Sequence, residues 1–117
     1  MGIDLKVMAS YFREHGGELL PTATLRFDRD SGLFSRLSRD ALPCLVRPLP
    51  PDLKVGCYED KGLVFTQVDR KGEPLTWLTP ADVARLEVPP DLSPWNNAIL
   101  AFLLALPEHT RIVLFWC

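Results

Sequence analysis

The chain has 117 residues, 47% of them hydrophobic, and its 13 Lys and Arg stand against 15 Asp and Glu for a net charge of −2. That length suits a single domain, residues 1–117, which buries about two-thirds of the surface of its unfolded chain and needs no disulfide or metal. The charge excludes a nucleic-acid footprint: the first 60 residues carry 8 basic against 9 acidic groups and the last 57 carry 5 against 6, with no cluster able to neutralise phosphates.

Cys44, Cys57 and Cys117 are odd in number and form no CxxC pair, so reduced thiols and a cytoplasmic location are expected. The first twenty residues mix charged and apolar groups with no apolar stretch of signal-peptide kind. Lys6 breaks the myristoylation pattern that Gly2 would open. The longest apolar run, "AILAFLLALP" at 98–107, is half of the roughly 20 residues a membrane span requires. It reads as a buried helix, and no membrane partner is expected.

In chain order, Ile3, Leu5 and Val7 alternate with Asp4, Lys6 and Met8, which predicts a strand with one face on a core. Glycines in "EHGGE" (14–18) predict a turn, and "TATLRFD" (22–28) a second strand closing a hairpin. Asp30 caps a short predicted helix that places Leu33, Phe34 and Leu37 together. Pro43, Pro48, Pro50 and Pro51 make 42–52 an extended connector, with "LVR" (45–47) a short edge strand. Residues 54–78 predict a three-stranded meander in which Val55, Cys57, Phe65 and Leu75 share a face. Thr79, Pro80 and Asp82 signal a helix start with Val83 and Leu86 facing inward, and Ser93 and Pro94 signal another that runs to Leu106. Because the 94–106 helix is apolar on every side from Ala98 onward, it is expected to be covered all round, by other helices or by a second copy of the chain. "RIVLFWC" then predicts a strand buried on both faces.

Motifs for chemistry are sparse. The seven glycines form neither GxGxxG nor a phosphate loop, the serines lack a GxSxG elbow, and His15 and His109 have no metal-spaced partner. No catalytic residue, cofactor or metal is expected. Arg26 and Asp28 on one strand face, with Asp4 and the meander residue Tyr58, are the candidates for a polar cleft that would serve a small-molecule binder or enzyme. Trp95, Ile99 and Phe102 on the last helix are the candidates for an apolar interaction surface.

Four short stretches, "MGID" at 1–4, "LFSRL" at 33–37, "LPPD" at 49–52 and "WLTPADV" at 77–83, resemble a group of small bacterial and phage proteins that begin Met-Gly-x-Asp. The group has no assigned activity. It tends to carry histidines just before its Trp-Leu-Thr segment, where this chain has Pro74, Leu75 and Thr76. The resemblance implies that Gly2 and Asp4 hold special structural positions.

The combined expectation is an α+β fold: a mainly antiparallel sheet of five or six strands, with the long apolar C-terminal helix and two shorter ones packed mostly on one face. The expected function is a non-catalytic interaction or accessory module that forms a homodimer and meets a protein partner through the surface near Trp95. The alternative is the small-molecule binder or enzyme.

Overall fold

The computed structural model describes residues 3–10 and 17–117; most of the turn expected at 14–18 lies outside them. Five strands form an antiparallel sheet: β1 (Leu5–Ser10), β3 (Ala23–Arg26), β4 (Arg47–Pro48), β7 (Thr76–Leu78) and β8 (Arg111–Trp116), in the order β3-β1-β8-β7-β4. A second sheet, in the order β2-β5-β6, joins β2 (Glu18–Leu19), β5 (Lys54–Glu59) and β6 (Gly62–Thr66). The helices are α1 (Ser31–Leu37), α2 (Pro80–Ala84) and α3 (Pro94–Ala105). The α+β fold and its five-stranded antiparallel sheet match expectation. The smaller sheet was not anticipated.

β8 shows why the C-terminal run is apolar without alternation. It lies between β1 and β7, and its side chains point to two different cores. Ile112 and Leu114 join Leu5, Val7, Leu33, Ile99 and Leu103 on the helix side. Val113 and Phe115 join Met8, Leu19, Val55 and Leu75 on the side of the smaller sheet. A strand covered on both faces must be hydrophobic on both, so period 2 disappears from its sequence. The hydrophobic interior is thus two layers, one on each face of the larger sheet.

The 54–78 segment departs from expectation. β5 and β6 form a hairpin in which Gly56 pairs Phe65 and Cys57 pairs Val64. Cross-strand partners share a face, so Phe65 lies opposite to Val55 and Cys57 rather than beside them. The chain then leaves the hairpin: a bridge between Val68 and Pro74 turns it, and β7 joins the larger sheet against β8. Leu75 does reach the expected core with Val55. Gly17 has φ +78, and a Cβ there would come within 2.8 Å of the Asp52 carbonyl oxygen, so only glycine lets β2 lie against the start of β5.

α3 corrects a second expectation. Its 12 residues start at the Ser93 cap, whose hydroxyl accepts from the Asn96 N–H, and end one residue early. Only Asn96, Ile99, Leu100 and Leu103 are buried. Within the described chain its outer side is uncovered, with Trp95 47%, Phe102 38% and Leu104 49% exposed. Ala98, Ala101 and Ala105, also exposed, occupy the rest of that side with small side chains. No helix among the described residues is long and apolar enough to cross a membrane.

Candidate functional site

α1 supplies one wall of a cleft. Asp30 accepts from the Leu33 N–H at 2.9 Å, which caps the helix and orients it. Leu33, Phe34 and Leu37 then turn toward the core. The same 3.6-residue period puts Ser31, Ser35 and Ser38 on the open side. Ser35 and Ser38 donate their hydroxyl hydrogens to the carbonyls of Gly32 and Ser35, at 2.9 and 3.1 Å, leaving oxygen lone pairs to face the cleft.

The floor comes from the end of β8. Trp116 meets Phe34 edge to face, with ring centroids 5.6 Å apart at 84°. The opposite wall is the tight turn between Asp69 and Glu73. Asp69 is only 5% exposed, and its Oδ1 accepts from the N–H groups of Lys71 and Glu73 at 2.8 and 3.1 Å. The Arg70 N–H donates to the Trp116 carbonyl at 3.2 Å and ties the turn to β8. Arg39, just past α1, bridges the walls: it donates to the Pro74 carbonyl at 2.8 Å and sits 3.5 Å from the Glu73 carboxylate. The cleft is open to solvent and has a volume of about 900 Å³, near the upper end for small-molecule sites.

The residues singled out from sequence have other places. Asp4 closes β1 onto the chain end through paired backbone bonds with Cys117, at 3.1 and 2.8 Å. Its carboxylate takes a two-pronged contact from Arg29, at 2.8 and 3.3 Å. The Arg29 hydrogen bond, with the charges of Arg29 and Arg26 and against some desolvation, holds the Asp4 carboxyl below the usual carboxylate range. The Arg26 carbonyl accepts from the Trp95 indole at 2.7 Å. Asp28 serves the start of α3: it accepts from Ser93 Oγ at 2.8 Å, and its backbone N–H and carbonyl pair with the Asn96 amide at 2.7 and 2.9 Å. Tyr58, 80% exposed, belongs to the smaller sheet on the other face of the molecule. Tyr58 is therefore not brought together with Asp4, Arg26 and Asp28.

Of the apolar trio, Trp95 and Phe102 reach the surface, whereas Ile99 is 2% exposed and belongs to the core. The three stand at i, i+4 and i+7, along one stripe of the helix, and Ile99 lies on the edge of that stripe nearest the buried Asn96, Leu100 and Leu103. His109 is exposed, and His15 lies outside the described residues. Cys44, Cys57 and Cys117 form no disulfide with one another, and no group of His, Cys, Asp and Glu among the described residues could hold a metal ion.

A second concentration of charge surrounds Asp82, whose carboxylate lies 3.1 Å from Arg47 and 2.8 Å from Arg85. Arg47 and Arg111 also place their guanidinium carbons 5.0 and 4.3 Å from the centre of the Trp77 ring. Every oxygen of Asp82 is committed to the protein's own groups, so this cluster is a structural clamp.

Phe34, Trp116, Asp69, Lys71 and Glu73 were not anticipated as a site, because the cleft joins the start of a helix, a distant turn and the end of the chain. Their one local signal is the Asp-x-x-Gly pattern of the 69–72 turn. Comparison with protein-family models, curated proteins and solved structures gave no match.

Proposed function

We propose that the protein is a ligand-binding module whose site is the cleft between α1, the 69–73 turn and Trp116. The observation that carries this reading is a concavity of about 900 Å³ with an aromatic floor and polar groups converging from three separate elements. The "LFSRL" stretch, which resembles the Met-Gly-x-Asp group, supplies one wall. The test is a fragment screen read by nuclear magnetic resonance on labelled protein. Shifts should concentrate in 29–40, 69–73 and 116. Hits whose shifts fall elsewhere would count against the cleft.

A second reading, an accessory module that self-associates or meets a protein partner through α3, has its own support in the uncharged outer side carrying Trp95 and Phe102. Two-fold pairing of that side would bury Trp95 and Phe102. Native mass spectrometry over a concentration range tests it: a dimer that Phe102→Glu dissociates supports this reading, and a monomer at every concentration removes it.

A further inference from the structure

We propose that the cleft takes an organic cation, an amine, guanidine or quaternary ammonium group carried on an apolar body. This rests on the reading of the cleft as a ligand site and adds the sign of the ligand's charge. The floor supplies the first argument. Aromatic faces attract cations through their quadrupole, and the edge-to-face contact of Phe34 with Trp116 leaves ring faces that neither ring uses on the other.

The charges supply the second. Among the described residues three cations border the cleft, Arg29, Arg39 and Lys71. Arg29 is neutralised by Asp4 and Arg39 by Glu73, which leaves Lys71 alone against Asp30, Asp40 and Asp69. The surplus is two negative charges. An anionic ligand would have one ammonium to meet and three carboxylates to repel it.

Asp69 adds a buried carboxylate to the cleft wall. It is 95% buried, and both backbone donors it serves are taken by Oδ1. No hydrogen bond from the described residues reaches Oδ2. A ligand ammonium reaching Oδ2 would give this largely buried carboxylate a charge-assisted hydrogen bond. Its apolar body would cover Phe34 and Trp116.

The experiment titrates the full chain at neutral pH and low salt with three probes of one shape: phenethylamine, phenethyl alcohol and 3-phenylpropionate. Calorimetry gives affinity, and resonance shifts give the place. The amine should bind at least about tenfold tighter than the alcohol, the carboxylate most weakly, and the amine's advantage should shrink with added salt. Asp69→Asn keeps an acceptor for the turn and should remove most of that advantage while leaving the alcohol's affinity unchanged. Asp40→Asn, an exposed change with no hydrogen bond to lose, should remove a smaller part and serves if the first variant unfolds. Tighter binding of the carboxylate, or equal binding of all three, overturns the cationic assignment and leaves the ligand cleft standing. Failure of all three up to about 10 mM, a limit for even weak fragments, overturns both.

Discussion

Removing the Asp82 carboxylate is the sharpest test of what orders the β7 to α2 corner. Its side chain is 4% exposed, yet it is charged. The Thr79 hydroxyl accepts from the Asp82 N–H at 3.2 Å, and Asp82 Oδ2 accepts in return from the Thr79 N–H at 3.0 Å, a reciprocal cap on a helix of five residues. Asp82→Ala leaves the half-buried Thr79 N–H without its acceptor, at about 1–2 kcal/mol. It also frees Arg47 and Arg85, whose side chains are 47% and 67% exposed. Screening limits each of those pairs to about 0.5 kcal/mol. The total is about 2–3 kcal/mol, or roughly 8–12 °C in Tm for a chain of this size. Asp82→Asn keeps an oxygen for Thr79 and should lose about 1 kcal/mol, the charge-dependent part.

The pH dependence separates charge from packing. Burial opposes ionisation of Asp82, but the hydrogen bonds from Thr79 and the charges of Arg47 and Arg85 outweigh it and hold the carboxyl below its ordinary value. A carboxylate with a depressed folded value contributes its stability above the unfolded value, near about 3.9, and loses it as pH falls through the folded one. Urea unfolding of wild type and Asp82→Asn should therefore show a constant gap at neutral pH that closes below about pH 4. A gap that persists undiminished in strong acid, or an Asn variant as stable as wild type at pH 7, would refute this account of the corner.

Other substitutions follow from single buried contacts. Asn96→Asp should cost about 2–3 kcal/mol at neutral pH, because the 1% exposed side chain would set a carboxylate oxygen against the Asp28 carbonyl it now donates to. Protonation restores a donor, so the folded-state carboxyl is raised and the deficit should shrink as pH falls, which denaturation at several pH values checks. Thr110 is fully buried, and its hydroxyl has no hydrogen-bond partner among the described residues. Thr110→Val removes that orphan at constant shape and should raise Tm by a few degrees, about 1 kcal/mol; a lower Tm by calorimetry would mean the hydroxyl is engaged. Gly17→Ala meets both the positive φ and the Asp52 carbonyl at 2.8 Å, and its urea midpoint should report a loss of about 1–3 kcal/mol.

Local chemistry determined much of this protein before any folding. Thr79-Pro80-x-Asp82, Asp30 and Ser93-Pro94 mark their helix starts because a cap acts within three residues of itself. The unbroken apolar run of 112–116 required a strand covered on both faces, because no solvent-facing side was provided for. Sequence also placed β1 against the strand that ends at Arg26, where Lys6 pairs with Arg26.

What depended on distant partners was not legible. Phe65 has the same composition of neighbours whichever way its strand faces, and only its pairing with Gly56 decides the face. Period 3.6 cannot separate core from surface in "AILAFLLALP", where every position is apolar; the sheet underneath selects Ile99, Leu100 and Leu103 and leaves Phe102 outside. The cleft is the extreme case. Asp69, Phe34 and Trp116 are far apart in the chain and come together only because β8 ends beside α1 and its last carbonyl holds the Arg70 N–H. Caps and periodicity are encoded within a few residues of themselves, whereas a concave site exists only once the elements around it have packed.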